Sequence, residues 1–162
     1  MDTASSDPGC TIEFNIPANL SSGYHQQLQS ITVHFDFRVF LMAGHLHMGG
    51  YNVTLYRGEA PDPDRTVCSV DTNYGTEVGV VGNERGFVAN MTECSFREKG
   101  GFVMRKGERF TMEAIYNAGA TDPQLLGAGY HDGVMAFAIM YGVRCTSVGC
   151  TNEAEPVTID AC

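Results

Sequence analysis

The sequence predicts an all-β fold, an antiparallel β-sandwich of jelly-roll type that forms a single domain. Three observations support this prediction: apolar and polar residues alternate with a period of two, turn residues recur at short intervals, and no segment shows a helical period. The chain has 162 residues, 19 of them glycine, and 43% are hydrophobic. This length suits one well-cored domain, which we place at residues 10–162 after a flexible N-terminal tail at residues 1–9.

The clearest strand signal lies in Ile31–Val39, where odd positions are apolar and even positions are polar. This alternation predicts a half-buried strand with His34 facing solvent. Glycine, proline and aspartate separate the further strands that we predict, and residues 117–129 are expected to form a long loop. Those strands are 10–16, 50–57, 66–71, 87–94, 102–105, 109–117, 133–145 and 156–160.

The charge and the apolar runs exclude two classes of partner. Lys and Arg number 10 against 19 Asp and Glu, which gives a net charge of −9. Such a chain repels phosphate backbones, so we expect no nucleic-acid partner. The longest apolar run, residues 133–143, is too short to cross a bilayer, so no membrane span is predicted.

Six cysteines and three glycosylation sequons indicate an extracellular, secreted protein. No tight C-x-x-C pair that would suggest zinc occurs, so three disulfides are the better interpretation. We predict Cys68–Cys94, Cys10–Cys145 and Cys150–Cys162, with Cys145–Cys150 and Cys10–Cys162 as the alternative to the last two. The sequons, which predict N-linked glycans, begin at Asn19, Asn52 and Asn90. The Asn52 side chain is expected to point outward, because Tyr51, Val53 and Leu55 share an apolar face.

His45-Leu46-His47 is the triplet with the most chemical content. Residues i and i+2 of a strand project to the same face, so two imidazoles can chelate one metal ion. An H-x-H pair by itself also fits two histidines that make ordinary surface hydrogen bonds.

Two stretches resemble a known copper domain. Phe40–Tyr56 (FLMAGHLHMGGYNVTLY) resembles the catalytic copper strand of peptidylglycine alpha-hydroxylating monooxygenase, and it is similar to plant stress-induced nodulin-like proteins. Gly129–Tyr141 (GYHDGVMAFAIMY) resembles the late strand of the same domain, which bears a methionine ligand. The resemblance implies one copper ion held by His45, His47 and Met135. His131, four residues before Met135, is a further candidate ligand.

The chemistry of these three donors agrees with copper. Two imidazoles and a thioether form a soft set that favours Cu(I) over Mg²⁺ or Ca²⁺ and leaves coordination positions open. A blue-copper site would also need a thiolate, which three disulfides would not leave available.

The resemblance does not decide whether the chain is an enzyme. The monooxygenases use two β-sandwich domains, and the first carries a tri-histidine copper that supplies electrons; this sequence matches only the second. We therefore hold three hypotheses: redox or oxygen chemistry at copper with an electron-donor partner or soluble reductant, non-catalytic copper binding, and a structural, adhesive or self-assembling glycoprotein module. Metal analysis separates the third from the others, and oxygen consumption with ascorbate separates the first two.

Overall fold

A computed structural model describes residues 13–17, 23–117, 125–126, 130–145 and 156–161 of the chain. Twelve β-strands make up the regular structure of these residues, together with two short 3₁₀ turns at Pro63–Arg65 and Arg97–Lys99. The strands are β1 (Glu13–Pro17), β2 (Tyr24–Thr32), β3 (Phe37–Leu46), β4 (Gly50–Arg57), β5 (Thr66–Tyr74), β6 (Val88–Met91), β7 (Glu93–Ser95), β8 (Phe102–Met104), β9 (Arg109–Asn117), β10 (Leu125–Leu126), β11 (Tyr130–Arg144) and β12 (Pro156–Ala161).

The strands form two antiparallel sheets packed face to face, which confirms the predicted β-sandwich. A seven-stranded sheet has the order β1-β11-β3-β7, with β8 also paired to β3 and with β10 and β12 paired to β11. A five-stranded sheet has the order β2-β9-β4-β5-β6. The chain passes repeatedly from one sheet to the other, because β2, β4 and β9 lie in the smaller sheet while β3, β8 and β11 lie in the larger one. In the described part of the chain, no helix is long and apolar enough to span a membrane.

The core lies between the sheets and is filled by the inward positions of each strand. On β9 the inward positions are occupied by Phe110, Met112, Ala114 and Tyr116, each at most 1% exposed. Facing side chains from the larger sheet include Phe37, Val39, Met42, Val134, Ala138 and Met140. Burying apolar side chains of this size contributes roughly 1.5–3 kcal/mol each, so the sandwich is the main source of stability.

The predicted strand at 31–39 is wrong in its continuity. The alternation is right, since Val33, Phe37 and Val39 are buried and His34 is exposed. However, β2 ends at Thr32 and β3 begins at Phe37, and residues 33–36 turn the chain from one sheet to the other. Two strands whose apolar residues face one core from opposite sheets can preserve the same odd-numbered pattern, which is why periodicity did not reveal the turn.

Asp36 holds this turn against the connection between β8 and β9. Its carboxylate accepts a hydrogen bond from the Lys106 backbone N–H at 2.8 Å and forms an ion pair with Arg105, also at 2.8 Å. These hydrogen bonds, the backbone one above all, lower the pKa of Asp36 below its ordinary value.

Candidate metal centre

The pairing of β3 with β11 brings the two predicted copper-binding segments together. Phe137 lies opposite His45 and Ala136 lies opposite Leu46 in the antiparallel register. The next step of this register places His47 beside Met135, where the His47 backbone N–H donates to the Met135 carbonyl oxygen at 3.4 Å. Residues that lie directly opposite in an antiparallel pair project to the same face of the sheet. The register therefore puts His45, His47 and Met135 on one face.

The burial pattern identifies this face as the outer one. Val134, Ala136 and Ala138 are buried, whereas Met135 and Phe137 between them are half-buried. Met135 is thus not the core residue that its apolar neighbours would suggest. In contrast, Met42 and Met140 are each 1% exposed and fill the core.

The two imidazoles lie side by side at the end of β3. Their ring centroids are 5.3 Å apart, and the ring planes meet at 77°. The His45 ring also stacks on Phe137, with centroids 4.6 Å apart and an interplanar angle of 25°. His45 belongs to β3 and His47 follows the last residue of that strand, so the H-x-H pair lies at a strand end. Stacking on Phe137 restricts the orientation of the His45 ring.

The surroundings of His45 favour the neutral form of its imidazole. Partial burial lowers its pKa below the ordinary value, and the neighbouring His47 lowers it further. The neutral imidazole, with a free nitrogen lone pair, is the form that binds metals.

A tight turn fixes the backbone after His47. The Gly50 N–H donates to the His47 carbonyl oxygen at 3.0 Å, which closes a turn over residues 47–50. Gly49 has a φ of +87°, in the region that favours glycine. The Gly49-Gly50 pair therefore lets the chain reverse directly after the second histidine and enter β4.

A tyrosine from the opposite sheet reaches the same backbone. The hydroxyl of Tyr116, on β9, donates to the Met135 carbonyl oxygen and accepts from the His47 backbone N–H, the latter at 3.1 Å. The Tyr116 ring is fully buried and meets Phe14 edge to face, with centroids 5.7 Å apart. One core side chain thus contacts both backbone segments of the candidate site.

An open groove of about 500 Å³ lies beside the histidines. His45, His47 and Met48 line one side, and residues 87–91 line the other. Gly44 also lines the groove, and a Cβ atom added to it would lie only 2.5 Å from Val70 Cγ2 and 2.9 Å from Met91 Cε. The groove gives a small molecule access to the imidazoles.

The structure also bears on the other predicted ligand, His131, and on other kinds of metal site. The backbone of His131 lies on β11 opposite Ile16, but its side chain falls outside the described part of the structure. Among the described residues, no group of three His, Cys, Asp or Glu side chains could hold a metal ion.

The predicted Cys68–Cys94 disulfide is confirmed and joins β5 to β7 across the two sheets. Cys145 is also disulfide-bonded. The predicted pairings of Cys10, Cys150 and Cys162 lie outside the described residues.

The sequons differ in their surroundings. Asn90 is exposed on β6, and Asn19 lies outside the described residues. Asn52 is half-buried with its Oδ1 atom enclosed, and Tyr51 is 58% exposed, so the expectation that Tyr51 shares the apolar face with Val53 is wrong. The cause is an irregular register between Gly50 and Asn52, which interrupts the alternation.

Sequence reasoning missed three contributors to this site: Tyr116, Phe137 and the groove wall at 87–91. The alternation of β9 shows that Tyr116 faces inward, but no local signal shows which backbone its hydroxyl reaches. The stacking partner of His45 depends on the register of β3 with β11, which links residues far apart in the chain.

Comparison with known proteins places the chain in a family. No curated protein and no solved structure matches it. The family model described as "Stress up-regulated Nod 19" (SURNod19) matches residues 1–141. This match agrees with the nodulin-like part of the resemblance noted above, whereas the likeness to the monooxygenase copper domain stays a prediction. The chain therefore belongs to the stress up-regulated Nod 19 family.

Proposed function

We propose that this protein binds one copper ion through His45, His47 and Met135 on the outer face of the larger sheet. The observation that carries the proposal is the β3–β11 register, which puts the three side chains on one face although His47 and Met135 are 88 positions apart in the sequence. Register-matched donors need no rearrangement of the sheet to act together.

The separation of the imidazoles fits a shared ion. With a metal–nitrogen distance of about 2.0 Å and a ring radius of about 1.2 Å, each centroid lies about 3.2 Å from the ion, so a near-tetrahedral angle separates the centroids by about 5.2 Å. The observed separation is 5.3 Å. This separation supports the proposal, because it is compatible with both rings binding one ion.

Residues around the candidate copper site would orient its ligands and control access to it. Stacking on Phe137 orients the His45 ring, and the turn closed by Gly50 positions His47. Half-burial of the donors limits water around them while the adjoining groove admits a small molecule. Copper held there would supply one-electron redox chemistry and an open coordination position.

Metal analysis of the natively isolated protein tests this function. We expect one copper per chain, and loss of that copper in His45→Ala/His47→Ala. His34→Ala is the matched control, because His34 is exposed and precedes β3, at the end of that strand opposite to His45 and His47. Absence of copper from the native protein and failure to take up added Cu(I) would contradict the proposal.

Oxygen chemistry is the extension that the monooxygenase resemblance favours. It requires an electron-donor partner or a soluble reductant, because the described residues include no second cluster of histidines. Oxygen consumption by the copper-loaded protein with ascorbate, above that of the His45→Ala/His47→Ala variant, supports catalysis. Equal rates in the two proteins would leave a non-catalytic copper-binding role.

We propose an extracellular location for this activity. The inter-sheet disulfide is typical of oxidising compartments, and Asn90 is exposed within a sequon. Hexosamine-containing adducts in the intact mass of protein from its native source support this location. Their absence together with free thiols at Cys68 and Cys94 would contradict it.

A self-assembling module is the second candidate, and an exposed apolar loop favours it. Val78, Val81 and Phe87 are 79%, 93% and 54% exposed in the segment between β5 and β6. Apolar side chains grouped in this way often mark an association surface. Light scattering over a concentration series tests this candidate. A molar mass that rises with concentration for the wild type, and that is lower for Val81→Ser, supports association. A constant monomer mass for the wild type excludes it.

A further inference from the structure

The hydroxyl of the buried Tyr116 connects two backbone segments, and each segment carries candidate copper donors. Its oxygen accepts from the backbone N–H of His47 at 3.1 Å, and its proton is donated to the backbone carbonyl of Met135.

We infer that Tyr116 is a positioning residue that sets the spacing between His47 and Met135 for copper binding. This role rests on the proposed copper-binding function. The direct hydrogen bond between the two backbones is long, at 3.4 Å, and the tyrosine hydroxyl adds a second link, in which the His47 N–H donates at the shorter distance of 3.1 Å. Hydrogen bonds in such a chain polarise and strengthen one another.

The position of the tyrosine ring makes this link rigid. Tyr116 comes from β9 in the smaller sheet, so its hydroxyl crosses the core to reach the larger sheet. Phe14 of β1 packs edge to face against the ring, and the Phe14 backbone pairs with Val134, the neighbour of Met135. The ring cannot move without disturbing the strands that carry the site.

The hydrogen bonds of Tyr116 connect a buried core residue to the candidate site on the outer face of the sheet. The donor side chains point to the outer face, whereas Tyr116 contacts their backbones from inside. Groups that hold ligands without touching the metal commonly change metal affinity by about 10- to 100-fold when they are removed. Tyr116 would act in this way through the backbone.

Tyr116→Phe tests the inference, because it removes only the hydroxyl and keeps the ring. The direct His47–Met135 hydrogen bond remains, so the fold is expected to survive. Tyr56→Phe is the matched control, because it also removes a tyrosine hydroxyl, one that donates to Glu113 at 2.8 Å. At about 3.3 Å per residue, Tyr56 lies about 20 Å along β4 from the turn at Gly50.

Anaerobic competition between the protein and a chromogenic Cu(I) chelator gives the affinity. We expect Tyr116→Phe to bind Cu(I) about 10- to 100-fold more weakly than the wild type, and Tyr56→Phe to match the wild type within about 2-fold. X-ray absorption should show a longer or absent copper–sulfur contact in Tyr116→Phe alone. A general loss of stability would not change copper–sulfur geometry selectively.

A second measurement uses the wild-type protein and does not depend on the variant's folding. Loading with diamagnetic Cu(I) should shift the NMR signals of the Tyr116 ring and of the His47 amide, while the Tyr56 ring stays unchanged. Equal Cu(I) affinity in the two variants, or an unmoved Tyr116 signal on loading, would overturn the role of Tyr116 alone. A wild-type protein that binds no Cu(I) would overturn the copper-binding function, and this role with it.

Discussion

The Cys68–Cys94 disulfide should contribute several kcal/mol to the free energy of unfolding, and the magnitude of this contribution follows from the length of the loop that the disulfide closes. The two cysteines are 26 positions apart and join β5 of the smaller sheet to β7 of the larger one. Loop-closure entropy for that separation corresponds to about 3.5 kcal/mol at 25 °C. For a domain of this size, each kcal/mol shifts the melting temperature by about 2–4 °C.

We therefore expect Cys68→Ala/Cys94→Ala to unfold about 7–14 °C below the wild type in calorimetry without reductant. The control is the same pair of proteins in reductant, where neither protein has the disulfide and the loop-closure part of the difference should disappear. A difference below about 1 kcal/mol without reductant, or one that persists unchanged in reductant, would refute the loop-closure account.

Three further outcomes are expected. Asp36→Asn should reduce the loss of folding stability at acid pH. The folded-state pKa of Asp36 lies below the unfolded value of 3.8, so the carboxylate stabilises the fold above that pH, and this contribution is lost as pH falls through the folded-state pKa. Urea unfolding at several pH values checks this, and an unchanged dependence of stability on acid pH would count against it. Gly44→Ala should destabilise the fold by about 1–3 kcal/mol, because its Cβ would meet Val70 at 2.5 Å, and a change under 0.5 kcal/mol in urea would show that the sheets adjust freely. Asn90→Gln in the native host should remove the mass of one N-glycan from the intact protein, and an unchanged mass would show that the site is not used.

Local patterns were sufficient to predict the fold class but not every strand. Alternation located β4, β9 and the long β11, because half-buried strands separate apolar from polar residues at every second position. The polar strand Tyr24–Thr32 was missed, since five of its residues are exposed and it lies at the edge of its sheet. The inward positions of this strand are only partly buried and include His25, Gln27 and Gln29, so its sequence lacks the apolar–polar contrast on which the prediction depends.

The candidate metal ligands could be predicted from the sequence, but the residues that position them could not. The H-x-H spacing states which residues share a face, and the resemblance added Met135. Tyr116 and Phe137 meet the site only through long-range pairing of β11 with β3 and packing between the sheets. No local sequence period encodes a contact of that kind.

X-ray absorption on the Cu(I)-loaded protein tests the copper site most directly. The proposed site requires one copper per chain, two nitrogen ligands at about 2.0 Å and one sulfur ligand. Met135→Leu should abolish the sulfur signal and weaken binding, while stability changes by less than about 1.5 kcal/mol. Met140→Leu, which removes a buried thioether from the inner face of the same strand, should leave the spectrum unchanged. A sulfur signal that survives Met135→Leu, or copper binding that survives His45→Ala/His47→Ala, would contradict the site proposed for this protein.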